Sequence, residues 1–147
     1  MKLSTKARYG ARAMLSLALD YGRGPIPLRD IAEQQEISEK YLEHLMGSLR
    51  LAGLVRSVRG THGGYVLAKP PFQIKLDEVV QVLEGSIAPV DCLNDPSICD
   101  RAKFCVTRGV WGKMQQAMSE VLKSISLKDL VEEQNEQEQS GGILYHI

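Results

Sequence analysis

The chain has 147 residues, 44% hydrophobic and 24% charged, with 18 Lys/Arg balanced by 18 Asp/Glu. That length fits one domain, or a small domain with an appendage, and allows a core that needs no disulfide staples. No apolar run approaches the ~20 residues that cross a membrane, and Met1-Lys2-Leu3-Ser4-Thr5-Lys6-Ala7-Arg8 lacks the apolar core of a secretion signal, so a cytoplasmic protein with no membrane partner is expected.

Residues 4–20 read as a helix capped by Ser4 or Thr5, with Ala7, Ala11, Met14, Leu15 and Ala18 on one face. Tyr21-Gly22-Arg23-Gly24-Pro25 ends it. Pro27 opens a short helix with Leu28, Ile31 and Ala32 inward, and Ser38 is the N-cap of a third helix, 39–51. The inward stripe of that helix is Leu42, Leu45, Met46 and Leu49, and Gly53 is placed to stop it. Strands are expected at 54–58 and 65–68, joined by the glycine-rich loop Arg59-Gly60-Thr61-His62-Gly63-Gly64. Three helices and a hairpin in that order make a winged helix-turn-helix. A short helix at 76–84, a turn-rich loop at about 86–106, a long periodic helix at 108–125 and a further helix at 127–134 follow. The polar stretch 132–142 is expected to fray. The fold class is therefore mainly α with a small β wing. The expected divisions are a DNA-binding domain at 1–70, a connecting helix and cysteine-rich loop at 71–107, dimerisation helices at 108–135 and a flexible tail at 136–147.

Charge supports a polyanion partner for the first half. Residues 1–69 hold 11 Lys/Arg against 6 Asp/Glu, and residues 70–147 hold 7 against 12. Lys and Arg displace counterions from phosphate. Uneven solvated charge is the bland alternative. Helix 39–51 presents Glu39, Lys40, Glu43, His44, Gly47 and Arg50 opposite its leucines. A major groove admits one such helix. Lys40 can donate to guanine, His44 can donate or accept, and Glu43 can accept from cytosine N4. Alone, such a helix is more often an ordinary amphipathic surface helix. The hairpin with Arg59 at its tip changes that balance, because a basic wing suits a narrow, negative minor groove. Lys2, Lys6, Arg8, Arg12 and Arg56 are candidate phosphate contacts. His62 reads as an exposed loop residue, and His146 in the tail is assigned no site.

The chain's three cysteines, Cys92, Cys99 and Cys105, lie close together around Asn94-Asp95-Pro96-Ser97. An odd number leaves one thiol over in any disulfide scheme. In a reducing compartment, clustered thiols more often bind metal or sense redox state. Thiolates suit iron–sulfur clusters, zinc and copper(I), but the short C-x2-4-C knuckles of structural zinc sites are absent. From spacing alone, a cluster site and coincidental cysteines are equally compatible. A fourth ligand must come from another residue type, a second subunit or an exogenous molecule.

The chain resembles the Rrf-type family of bacterial winged-helix transcription regulators over residues 1 to about 135. The resemblance rests on Met1-Lys2-Leu3-Ser4-Thr5-Lys6-Ala7-Arg8-Tyr9-Gly10, on Ile31-Ala32-Glu33 and on Ile37-Ser38-Glu39-Lys40-Tyr41-Leu42-Glu43. Leu54-Val55-Arg56-Ser57-Val58-Arg59-Gly60 and Gly63-Gly64-Tyr65 extend it through the wing. The cysteine loop followed by Val110-Trp111 is most similar to the iron–sulfur cluster regulator (IscR) type. The resemblance implies a homodimer joined through the helix near 108–125 and a double-stranded DNA operator as partner. It implies DNA contacts from Lys6, Ser38, Lys40, Tyr41, Glu43, His44, Arg50 and Arg59, and an iron–sulfur cluster, 2Fe–2S rather than 4Fe–4S, on Cys92, Cys99 and Cys105. There are two departures. The first cysteine gap is x6 rather than x5, and Arg108 replaces the usual histidine three residues after the last cysteine. Arginine stays protonated and is a poor ligand. The nitric-oxide-sensing (NsrR) type can use an acidic residue early in the first helix, but Arg8 stands there. The fourth ligand is therefore unassigned.

Three functions compete: a cluster-sensing regulator, a regulator of the cysteine-metabolism type sensing thiol oxidation or zinc without a cluster, and a redox carrier with an incidental basic half. No nucleophile–base set or phosphate-binding loop suggests an enzyme.

Overall fold

The computed structural model describes the backbone of residues 2–146 and side chains as far as residue 141. Its elements are α1 (Thr5–Leu19), α2 (Leu28–Gln35), α3 (Glu39–Leu51), β1 (Val55–Val58), β2 (Gly64–Leu67), α4 (Leu76–Glu84), α5 (Val106–Ser124) and α6 (Leu127–His146). The architecture is mainly helical with one small antiparallel hairpin, as expected of a winged helix-turn-helix.

Local chemistry explains the boundaries of α3. The Ser38 hydroxyl accepts from the Tyr41 N–H, satisfying one orphan donor of the first turn. Leu42, Leu45, Met46 and Leu49 are buried, so the opposite face is left to solvent. Gly53 (φ 79°) then takes a left-handed turn that a side chain would resist. β1 pairs with β2 from Val55 opposite Leu67 to Val58 opposite Gly64. The wing is tied down by a second pairing, in which Ile26 and Tyr65 exchange both backbone bonds at 3.0 and 2.9 Å. Gly64 allows this close approach, since a Cβ there would collide with the Ile26 carbonyl.

One core serves the DNA-reading body. Met14, Ile31, Leu42, Leu45, Met46, Leu49, Val55, Ile74, Val79 and Leu127 are all essentially inaccessible to water. α1 packs on α4 with Gly10 directly against Leu83, where a Cβ would overlap the Leu83 side chain. Ser4 stands at the N-cap of α1, but its side chain makes no capping bond. Its N–H donates instead to Glu84 Oε1 at 2.7 Å, which places a carboxylate at the positive end of α1.

Several expectations are corrected. The buried face of α1 includes Ala13, Ser16 and Leu17, whereas Ala11 and Leu15 are only half-buried. Ile125, expected as the last residue of the periodic helix 108–125, lies outside α5. It is the extended C-cap of α5, and its carbonyl accepts from Leu76 N–H at 2.9 Å. The expected helix 127–134 runs on to His146, through the stretch expected to fray. Glu and Gln are good helix formers, and (i, i+4) pairs such as Lys128–Glu132 and Gln134–Glu138 add support. Its start is fixed by a reciprocal box: Asp129 N–H donates to Ser126 Oγ, and Ser126 N–H to Asp129 Oδ2. His146, to which no role was assigned, has its side chain outside the described residues.

Core and surface leucines should separate in urea unfolding. Leu49→Ala should lose about 2–5 kcal/mol and Gly10→Val about 1–3 kcal/mol through overpacking on Leu83. Leu51→Ala, at a side chain 84% exposed, should change stability by less than ~0.5 kcal/mol. Equal losses at 49 and 51 would refute this assignment of the core.

Candidate nucleic-acid interface and cysteine loop

Because its leucines face inward, α3 holds Glu39, Lys40, Glu43, His44 and Arg50 exposed on its outer side. Ser38 is exposed as well. Its oxygen is used as an acceptor by the cap, which leaves its O–H free to donate. Tyr41 is half-buried, with its hydroxyl 2.9 Å from Thr5 Oγ1 and its ring edge-on to Tyr9 at 6.1 Å between centroids. It therefore binds the start of α3 to the start of α1, where Lys6 is exposed. Arg59 and His62 are exposed in the wing loop, which a Gly63 N–H bond to the Gly60 carbonyl closes at 3.0 Å.

Arg12, a candidate phosphate contact, is exposed and also makes contacts inside the body. Its guanidinium bonds the side-chain and backbone oxygens of Gln35 and stacks over the Tyr9 ring at 5.2 Å. Gln35 in turn donates to Ser16 Oγ at 2.6 Å. The set joins α1 to the end of α2, immediately before the helix-turn-helix turn at Glu36, which takes a left-handed conformation (φ 53°). The sequence signal was available in principle, since Arg12 and Ser16 lie one turn apart, but their partner is remote in the chain.

The cysteine loop contains two short 3-10 turns, Asp91–Leu93 and Pro96–Ile98. Asp95 caps the second by accepting from Ser97 Oγ at 2.6 Å and Ser97 N at 3.1 Å, bonds that hold its carboxyl below the usual range. Cys92 and Cys105 are half-buried and Cys99 is exposed, and all three are free thiols. Cys105 is the N-cap of α5. The Thr107 hydroxyl, 3.2 Å from its sulfur, does most to lower its pKa from the ordinary thiol value. The Arg108 backbone N–H adds to this and burial opposes it, with the Thr107 N–H and the charge of Arg101 contributing less. Arg108 donates from Nε and Nη2 to the Cys92 carbonyl at 3.3 and 3.0 Å. Sequence reasoning noted Arg108 as a poor ligand and missed this grip. By donor chemistry the loop fits a soft metal or cluster. By geometry, no three His, Cys, Asp or Glu among the described residues are gathered to hold one ion.

α5 has no fully buried residue. Val106, Val110, Trp111 and Val121 are exposed. Between α5, the end of α4 and the N-terminal segment runs an apolar groove of about 600 Å³, lined by Leu3, Ile87, Pro89, Met118, Val121 and Leu122 among others. No described helix is long and apolar enough to cross a membrane.

Residues 3–133 match the family described as Rrf2, iron-dependent transcriptional regulator. The chain belongs to the Rrf2 family of transcription regulators. The regulator CymR of Bacillus subtilis (strain 168) is 46% identical over 130 residues, covering 88% of this chain and 89% of that protein. The structure of CymR, the global cysteine regulator of B. subtilis, superposes with a TM-score of 0.76 over 90% of this chain and 97% of that one. The regulator IscR of Xenorhabdus nematophila is 40% identical over 134 residues, 91% of this chain and 81% of that protein. The structure of T. potens IscR gives a TM-score of 0.78 at 45% identity, over 93% of this chain and 90% of that one. These relatives are regulators rather than enzymes, and they establish the winged-helix fold and the regulatory class together. The two named types are about equally similar to this member of the family.

The Cys105 environment predicts reactivity at lower pH. A depressed thiol pKa means that thiolate persists as pH falls below the ordinary thiol range, so Cys105 alkylation should keep its rate there. Thr107→Val removes the leading cause and should move the alkylation midpoint upward, as followed by mass spectrometry across pH. An unmoved midpoint would show that Thr107 does not set it.

Proposed function

We propose that the chain is a cytoplasmic, homodimeric transcription regulator that binds operator DNA through α3 and the wing and senses iron–sulfur status through the Cys92/Cys99/Cys105 loop. The observation that carries the DNA reading is the exposed, capped face of α3 with Lys6 beside its start and Arg59 on the wing tip. In this reading Lys40, Glu43, His44 and Arg50 face the major groove. Lys6, Ser38 and Tyr41 lie towards the backbone at the start of α3, where contacts to phosphate position without specifying sequence. Arg59 enters the minor groove. Footprinting should give two half-sites roughly 34–36 Å apart. Arg59→Ala should weaken specific binding by about 1–3 kcal/mol, and Lys6→Ala should weaken it across all sequences while lowering the salt slope by about 1. A single asymmetric footprint would sink the dimeric model.

The dimer reading rests on the exposed apolar residues of α5, a face too apolar to leave in water. Met118→Glu, in the middle of the groove, should sediment as a folded monomer. A variant that stays dimeric would place the interface elsewhere.

The cluster reading rests on three soft donors in one loop and on the resemblance to the cluster-binding regulators. A bound 2Fe–2S cluster would supply an exchangeable, redox-active group. Cys92, Cys99 and Cys105 would hold it, with a fourth ligand that is not cysteine, since all three of the chain's cysteines are already used. Anaerobic reconstitution should yield visible charge-transfer bands that any one Cys→Ala change removes while the winged helix stays folded. A second reading has support of its own: the half-buried Cys105 thiol, with its lowered pKa, suits direct oxidation sensing, and similarity to the cysteine regulator is equally strong. Stoichiometric zinc, or metal-free thiols that switch DNA affinity on oxidation, would favour that reading instead.

A further inference from the structure

Two contacts join the first turn of the cysteine loop to α5, and both come from the same side of that helix. The Arg108 guanidinium closes on the Cys92 carbonyl with two donors. One helical turn further, Leu93 comes within 3.7 Å of the position a Cβ on Gly112 would occupy. Residues four apart share a helix face, so Arg108 and Gly112 form one docking strip for Cys92-Leu93. Cys105 is the N-cap of the same helix, three residues before Arg108. Arg108 therefore ties half-buried Cys92 to the helical turn that half-buried Cys105 begins. Nothing comparable holds Cys99. Its backbone bonds stay inside the loop, with Pro96 and Ala102, and its side chain is exposed.

We propose that Arg108 is a positioning residue, a clasp that sets Cys92 and Cys105 in a fixed relation on the first turns of α5 without metal, leaving Cys99 as the thiol that moves. A guanidinium has five donors and no lone pair to give, so this residue cannot complete a metal site as a histidine would. Two donors on one rigid plane, converging on a single oxygen, fix the orientation of the guanidinium as well as its distance, which a single ammonium does not. The loop is thus registered before any ligand arrives, and binding would need to order only the Cys99 segment. The metal part of the argument rests on the cluster reading. The thiol part does not.

Metal-free, reduced protein is pulsed with iodoacetamide, and the three alkylation rates are read by mass spectrometry against an added free-cysteine peptide, with exposed Cys99 as the site expected to stay unchanged. Arg108→Ala should raise the Cys92 rate about tenfold, the effect of losing a charged hydrogen-bond pair that held a local opening closed, with Cys99 unchanged. Arg108→Lys keeps the charge and one donor and should fall between wild type and Ala. An unchanged Cys92 rate overturns the clasp. So does an equal rise at all three thiols, which would report general loosening of the loop, or full rescue by Lys, which would make charge rather than register the cause. A Co(II) titration read by thiolate-to-metal absorbance separates the two layers. Weaker Co(II) binding in Arg108→Ala supports both. Altered alkylation in protein that takes up neither Co(II) nor iron keeps the clasp and removes the cluster. Equal Co(II) binding with unchanged alkylation keeps the metal site and removes the clasp.

Discussion

The C-terminal helices are fastened to the DNA-reading body by a joint of two short extended segments. Leu127 N–H donates to the Ile74 carbonyl and Leu76 N–H to the Ile125 carbonyl, both at 2.9 Å, with Lys75 facing Ser126 between them. Ile74 and Leu127 are fully buried beside it. Buried backbone groups are costly when unpaired, so the joint resists opening. It determines where α5 ends and α6 begins. The groove, the exposed α5 face and the placing of the cysteine loop depend on where α5 is anchored.

The DNA-reading body was largely legible in the sequence because its signals are local. Ser38, the leucine spacing of 42, 45 and 49, and Gly53 bound α3 by capping, amphipathicity and a permitted left-handed turn. The hairpin announced itself through Gly60, Gly63 and Gly64 between β-branched segments. The joint was not legible, because each of its pairs links positions some fifty residues apart and no local pattern records a single bridge. Ile125 looked like the end of an apolar stripe for that reason. The continuation of α6 was hidden by its polarity. A run of Glu and Gln reads as disorder by composition, yet it has high helix propensity and (i, i+4) partners once Ser126 and Asp129 have started the helix.

The cysteine loop divides differently. Composition was enough to mark three thiols as soft donors and Arg108 as a non-ligand. It could not foresee that Cys105 caps α5, that Thr107 bonds its sulfur, or that Arg108 holds the Cys92 carbonyl, since each depends on how the loop folds back onto the helix. The same geometry serves both functional readings. A thiolate favoured by a helix N-terminus and nearby donors is a better metal ligand and a better target for oxidants. Similarity to cysteine and iron–sulfur regulators alike is what a shared scaffold with a retunable loop would produce.

The route from loop to DNA is constrained by which elements touch. The loop turn Asp91–Leu93 packs on α5, α5 packs on α4, and α4 packs on both α1 and α3. α4 is also the element whose Glu84 meets the start of α1 and whose Leu83 presses on Gly10. Adjacency is not coupling; coupling requires a ligand to interact differently with two states of an element that both sites share. α4 and α5 are the elements through which the contacts run. α4 is packed tightly enough that a shift must move α1 or α3 with it. α5 is held at its C-terminal end by the joint, packs on α4, and carries the cysteine loop on its first turns through Arg108 and Gly112. A change in the loop would therefore act first on α5 and reach α1 and α3 only through α4.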